Sequence, residues 1–127
     1  MKRILQTREF DFGRIDFHEK FLVSILNEGV LFNQEKFEKI AEECRKFYKQ
    51  NGFVYISHRI NSYDVDPTVY VVLKKSNILK GIAIVVENEI ASTVGTAYFE
   101  GNFSNFPFEV FENLEDAVYW AEKLLEK

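Results

Sequence analysis

The chain has 127 residues, of which 46% are hydrophobic and 28% are charged, and its formal net charge is −4. This length and composition predict one domain, residues 1–127, with a packed core, and they exclude a disordered chain. The acidic balance and the lack of basic runs exclude a nucleic-acid-binding face, and no apolar run is long enough for membrane insertion.

Two features of the sequence indicate a cytoplasmic protein. The first nine residues (MKRILQTRE) lack the apolar segment of a signal peptide. The single cysteine, Cys44, cannot form an internal disulfide, which suits a reducing compartment. Within its helical pattern Cys44 is interpreted as a small buried hydrophobic residue.

The N-terminal segments predict a β-hairpin. Residues 9–17 (EFDFGRIDF) alternate apolar and polar side chains, and the phase slips at Gly13, which we interpret as a bulge. A turn at His18 and Glu19 leads to a second strand at residues 20–27, and Glu28 and Gly29 form the next turn. The edge of this hairpin could pair with a second copy of the chain, so we expect that a homodimer can form there.

Residues 33–51 have the clearest helical pattern, with Asn33 as the N-cap and Gly52 as the stop. Residues 53–60 then predict a central strand. Asp66 and Pro67 are typical of a helix start, and we predict a short helix to residue 73, although the β-branched residues there would suit a strand equally well.

The C-terminal third continues the alternation of strands and helices. Residues 81–86 (GIAIVV) predict a strand covered on both faces, and Asn88 is the predicted cap of a helix that includes Ile90 and Tyr98. A loop at residues 101–107 precedes the last strand, residues 108–111. Asn113 is the predicted cap of a final helix that ends near Glu126.

The predicted order is therefore ββαβαβαβα. This order predicts an α/β fold with a mixed, mostly parallel sheet of about four or five strands and about four helices.

The central strand delivers a set of polar side chains at its C-terminal end, which is where α/β proteins usually have their sites. The candidate binding residues in this set are Arg59, Asn61, Ser62, Tyr63, Asp64 and Asp66. Asn61, Ser62 and Asp64 are also good turn formers, and Asp66 can act as a helix cap alone.

Little in the sequence indicates catalysis. A hydrolase or transferase would need Ser62, with His58 as its base, or Cys44 as the nucleophile, and no oxyanion hole or glycine-rich phosphate loop is recognisable. The two histidines are far apart and Cys44 lies on an apolar face, so the spacing predicts no metal site. We therefore expect a protein that is not an enzyme and that uses no cofactor.

Three segments resemble the SpoIIAA-like branch of the STAS/SEC14 superfamily. They are residues 59–67 (RINSYDVDP) after the middle strand, residues 79–85 (LKGIAIV) on the next strand, and residues 107–111 (PFEVF) followed by 114–120 (LEDAVYW) at the end. The resemblance covers most of the chain and implies a single STAS/SpoIIAA-like domain.

The resemblance also implies a function. STAS-type antagonists act by contact with a protein partner, and a kinase-like partner phosphorylates a Ser or Thr at the start of the helix after the middle strand. The nearest candidates in this chain are Ser62 and Thr68. The resemblance therefore implies a regulatory, protein-interaction module.

The alternative is a small lipophilic-ligand-binding domain of SEC14-like type. Phe99, Phe103 and Phe106 lie in or beside a polar loop and could form an aromatic surface for a ligand or partner, with a pocket between residues 99–108 and the loop of residues 61–66. The same rings could instead fold back onto the core.

Overall fold

The computed structural model describes residues 3–70, 76–87, 97, 100–103 and 105–126. The described elements, in chain order, are β1 (Gln6–Phe10), β2 (Gly13–Phe17), β3 (Phe21–Leu26), β4 (Leu31–Phe32), α1 (Gln34–Tyr48), β5 (Phe53–His58), β6 (Asp64–Val65), β7 (Leu79–Val85), β8 (Phe108–Phe111) and α2 (Leu114–Leu125). A short 3₁₀ turn, Gly101–Phe103, precedes β8. The predicted α/β class is confirmed.

The main sheet has six strands in the order β1-β2-β3-β5-β7-β8. The strands β1, β2 and β3 pair antiparallel, whereas β3, β5, β7 and β8 pair parallel. The prediction of a mixed, mostly parallel sheet is therefore confirmed, and β5 is a central strand as expected.

The prediction of four or five strands is wrong, because residues 9–17 form a hairpin and not one strand. The chain reverses at Asp11 and Phe12, so that Phe10 pairs with Gly13. Gly13 is therefore not a bulge but the first residue of β2, with a φ of +156°. The slip in the hydrophobic alternation at Gly13 marks this reversal.

A second, two-stranded sheet was not predicted. It joins β4 to β6 in parallel, with Leu31 beside Asp64 and Phe32 beside Val65. Strands of two residues are too short to show the alternation on which a prediction depends. This small sheet connects the segment before α1 to the polar loop after β5.

The first helix, α1, packs against one face of the main sheet. Phe37, Ile40, Cys44 and Tyr48 form its buried side, and the amide of Lys36 donates to the Asn33 side chain at 3.1 Å, as predicted for the N-cap. The helix ends at Tyr48, before the predicted residue 51, because Lys49 leaves the helical region with a φ of +57°.

The second helix, α2, covers the opposite face of the sheet. Ala117 and Ala121 are fully buried against a cluster that contains Val54, Ile56 and Ala83. The amide of Asp116 donates to the Asn113 side chain at 2.9 Å, so the predicted cap is confirmed. Small residues on α2 allow this helix to lie close to β5 and β7, and the expected burial of β7 on both faces is confirmed.

The predicted total of about four helices is not supported, since the described residues contain two bounded α-helices. Val69 and Tyr70 are helical after Asp66 and Pro67, but residues 71–73 of the predicted helix lie outside the described residues. Residues 88–96 and Tyr98 of the other predicted helix also lie outside them.

The Asn33 cap provides a test of the α1 boundary. We expect Asn33→Ala to lower the free energy of unfolding by about 1 kcal/mol, because the Lys36 amide loses its acceptor. Urea unfolding at neutral pH measures this change. Asn33→Asp is the control and should retain most of the stability; equal stability of Asn33→Ala and the unmodified chain would contradict the cap.

Candidate functional site

The end of β5 directs alternate side chains toward the α1 side of the sheet. The amide of Arg59 donates to the carbonyl of Val85 at 2.9 Å, so the extended pairing with β7 continues one residue beyond the strand. Side chains two residues apart share a face of a strand. Tyr55, Ser57 and Arg59 accordingly line the same side.

Arg59 forms a buried, two-pronged ion pair with Glu100. One guanidinium nitrogen, Nη2, donates to Glu100 Oε1 at 2.7 Å, and Nη1 donates to Oε2. The two side chains are only 8% and 4% exposed. The Tyr70 hydroxyl also donates to Glu100 Oε1 at 2.5 Å, so that a single carboxylate links three segments of the chain.

Arg59 and Tyr70 both keep their protons near neutral pH. Burial disfavours the charge on Arg59, but Tyr63 and the Glu100 carboxylate outweigh it and raise the pKa of Arg59. Burial, and then the charge of Glu100, raise the pKa of the Tyr70 hydroxyl. Near neutral pH Arg59 is a permanent cation and Tyr70 a neutral donor, so both groups are suited to holding structure and poorly suited to moving protons.

Ser57 and Tyr63 complete the cluster. Arg59 Nε donates to Ser57 Oγ at 3.1 Å, and Ser57 Oγ is hydrogen-bonded to the Tyr63 hydroxyl at 2.8 Å. The Arg59 guanidinium lies 5.3 Å from the centre of the Tyr63 ring. The small cavity beside these groups has a volume of about 30 Å³, which is room for about one water molecule and not for a substrate.

The loop after Arg59 is held to the segment before α1. Asn61 Nδ2 donates to the Leu26 carbonyl at 2.9 Å, and the Ser62 amide donates to Glu28 Oε1 at 2.9 Å. The Gly29 amide donates to the Ser62 carbonyl at 2.8 Å, and pairing of β4 with β6 continues the contact. Asn61 therefore ties this loop to the end of β3 through a bond that spans 35 residues, and not to the nearby backbone as a turn residue would.

Asp66 acts as a cap. Its Oδ1 accepts from the Thr68 amide at 3.0 Å and from the Thr68 hydroxyl at 2.8 Å. These two bonds, the amide first, lower the pKa of the Asp66 carboxyl.

The predicted binding residues thus differ in exposure. Arg59 belongs to the buried cluster, and Tyr63, Asn61 and Asp66 are partly buried, whereas Ser62 and Asp64 have exposed side chains. Thr68, a predicted phosphorylation site, is exposed as well. We call the exposed set of Ser62, Asp64 and Thr68 the polar surface.

The pair proposed for nucleophilic chemistry is not brought together by a hydrogen bond. His58 Nε2 contacts Glu87 Oε2 at the end of β7. Ser62 instead contacts Glu28 and Gly29 through its backbone. The Cys44 thiol is buried, and burial raises its pKa to about 12, so it is a poor nucleophile near neutral pH.

Of the three aromatic candidates, Phe99, Phe103 and Phe106, the structure describes the side chain of Phe106. Phe99 lies outside the described residues, and Phe103 is described by its backbone alone, at the end of the 3₁₀ turn. Phe106 is half-buried and packs against the main core.

A groove that the sequence did not indicate lies between α1 and residues 76–79. Its volume is about 590 Å³, and Phe37, Ala41 and Cys44 of α1 face Ile78 and Leu79 across it. Phe37 and Tyr55 line both this groove and the small cavity beside Arg59. The hydrophobic periodicity of the sequence could not have predicted this groove, because the groove depends on the distance between α1 and residues 76–79, about 35 residues later in the chain.

Two features are absent from the described residues. No three His, Cys, Asp or Glu side chains among them are grouped closely enough to hold a metal ion. None of the helices in the described part of the chain has the length and apolarity needed to cross a membrane.

Comparison with known proteins gives one match. Neither the curated proteins nor the solved structures contain a match to this chain. The family model described as "Domain of unknown function (DUF7793)" matches residues 15–125, which extend from β2 to the end of α2. The chain belongs to this DUF7793 family.

Proposed function

We propose that this chain is a non-enzymatic regulatory module of STAS type, which binds a protein partner through the polar surface. The observation that carries the proposal is that Ser62, Asp64 and Thr68 are exposed on backbone that is tied down locally, by Glu28 at Ser62, by the small sheet at Asp64 and by the Asp66 cap at Thr68. A surface ordered before binding loses less conformational entropy when a partner docks.

The fold supports this proposal. The polar surface follows the central strand β5, at the edge where parallel strands present their C-terminal ends. The buried Arg59–Glu100 pair beneath it anchors the start of the loop. The raised pKa values of Arg59 and Tyr70 favour a scaffolding role for the cluster over acid–base chemistry.

Phosphorylation of Thr68 would change this surface. The Thr68 hydroxyl now donates to Asp66, and a phosphate there would remove this donor and add negative charge beside the carboxylate. Repulsion between the two would disrupt the Asp66 cap. Thr68 is therefore the site through which we propose that a kinase-like partner regulates the surface, with Ser62 as the second candidate.

Affinity capture with quantitative mass spectrometry tests the proposal. We expect Asp64→Arg to reduce capture of a specific partner about tenfold or more, because charge reversal at an interface disfavours docking. Thr68→Glu should also reduce capture. The control is Glu9→Arg, which makes the same charge change at an exposed position of β1. Equal capture by Asp64→Arg, Glu9→Arg and the unmodified chain would contradict a partner site at the polar surface.

A small lipophilic-ligand-binding role, of SEC14-like type, is the second candidate function, and the groove favours it. Its volume lies within the roughly 300–1,000 Å³ typical of small-molecule sites. The groove lies beside α1. The pocket predicted from the sequence, between the loop of residues 61–66 and residues 99–108, is a different location.

A further inference from the structure

The groove has an apolar interior with fixed walls. Ile40, Cys44, Phe53 and Leu79 are at most 5% exposed and form its floor. On the wall opposite α1, Ser76 Oγ accepts from the Leu79 amide at 3.1 Å, which holds the turn into β7. Along this floor an occupant would be largely hydrocarbon, because Ile40, Phe53 and Leu79 offer no polar group to pair with it. Polar side chains also line the groove, namely Gln50, Tyr55, Ser76 and Asn77.

The rim of the groove has a charge asymmetry. Arg45 and Lys49 lie at the C-terminal end of α1, and both are exposed and make no ion pair within the described residues. Glu38 lies about two turns earlier on the same helix, roughly 10 Å from Arg45 along the axis. The two cations are therefore free to pair with a ligand at one end of the groove.

Lys46, the residue next to Arg45, differs from the two rim cations because it is paired with acidic side chains. Lys46 lies 3.4 Å from both Glu42 and Glu43 and does not line the groove. At this end of α1, the cations that line the groove, Arg45 and Lys49, are therefore the ones without an ion pair in the described residues. An apolar interior that ends at two unpaired cations is complementary to an amphiphile with one anionic end.

We propose that the groove binds a single-chain amphiphilic carboxylate, with the hydrocarbon chain against Ile40, Cys44 and Leu79 and the carboxylate beside Arg45 and Lys49. This inference rests on the second candidate function, and the polar surface has no part in it. The ligand class is a fatty-acid-like monoanion.

Isothermal titration calorimetry with three probes tests both parts of the recognition. The probes are decanoate, which has a chain and a carboxylate, decanol, which has the chain alone, and acetate, which has the carboxylate alone, all below micelle-forming concentrations. We expect decanoate to bind roughly tenfold more tightly than decanol, and acetate not to bind detectably, because a charge-assisted contact adds to the apolar burial.

Matched variants locate the carboxylate. Arg45→Gln/Lys49→Gln should reduce the affinity for decanoate to that for decanol, whereas Lys46→Gln, which removes a positive charge from the same helical turn, should leave it unchanged. Decanol should bind both variants as it binds the unmodified chain. Ala41→Trp should abolish binding of both probes by filling the groove, with circular dichroism to confirm that the variant is folded.

Three results would overturn the proposal in distinguishable ways. Binding of decanol and decanoate with equal affinity would reject the carboxylate but keep the groove as a ligand site. The absence of binding by any probe would reject the ligand-binding function itself. A loss in Lys46→Gln about half as large as that in Arg45→Gln/Lys49→Gln, in proportion to the charges removed, would show that net charge, and not the rim of the groove, controls the affinity.

Discussion

Replacement of Arg59 by Met is expected to lower the free energy of unfolding by about 3–5 kcal/mol. The reason is that Glu100, which is only 4% exposed on its side chain, would remain buried with Tyr70 as its remaining donor among the described residues. The loss comes mainly from the uncompensated carboxylate and not from a weakened core, since Met fills a similar volume. Urea unfolding at neutral pH measures it.

Two further variants separate this explanation from a general effect of removing an arginine. Arg14→Met breaks the ion pair with Asp16 at 3.6 Å, in which Arg14 is 48% exposed, and should cost less than about 1 kcal/mol. Arg59→Met/Glu100→Leu removes both charges and should recover most of the loss. If Arg59→Met is as stable as Arg14→Met, the Arg59–Glu100 pair is not desolvated.

The second large effect is expected at Gly13. We expect Gly13→Ala to destabilise the fold by about 4 kcal/mol, through a strained backbone and a steric clash together. Its φ is +156°, and a Cβ atom there would lie 2.5 Å from the Ile25 carbonyl oxygen and 2.8 Å from Leu26 Cα. Backbone atoms of β3 cannot move away without breaking the pairing of β2 with β3.

Gly29 provides the matched control for this substitution. Its φ is +79°, but a Cβ atom would meet nothing within 4 Å. Gly29→Ala should therefore cost only the backbone strain, about 1–2 kcal/mol. Thermal and urea unfolding of both variants would measure the difference, and equal losses would contradict the close approach of β2 and β3 at Gly13.

The sequence predicted those parts of the fold whose cause is local. Asn33 and Asn113 cap their helices through amides three residues away, and the apolar run in β7 reflects burial on both faces. Where two elements meet within a few residues, the prediction was wrong. Residues 9–17 were predicted as one strand because both halves alternate and the phase slip at Gly13 was interpreted as a bulge instead of a reversal.

The site was predicted less well, because its chemistry depends on distant partners. The sequence identified Arg59 and Tyr63 as binding residues, but the partner of Arg59 is Glu100, 41 residues later, and no local pattern marks Glu100. The choice of Ser62 and Thr68, in contrast, depends on turn and cap chemistry within the segment itself, and both side chains are exposed in the structure. The groove depends on packing between segments and has no counterpart in any motif.

The sheet topology has a consequence for how the chain folds. The antiparallel strands close short loops, with Gln6 paired to Phe17 eleven residues later, whereas the parallel pairing of Phe21 with Val54 spans 33 residues. Because closing a longer loop costs more chain entropy before any contact forms, the β1-β2-β3 meander can assemble first and offer β3 as the template for β5. The folding rate should therefore be limited by docking of the parallel half.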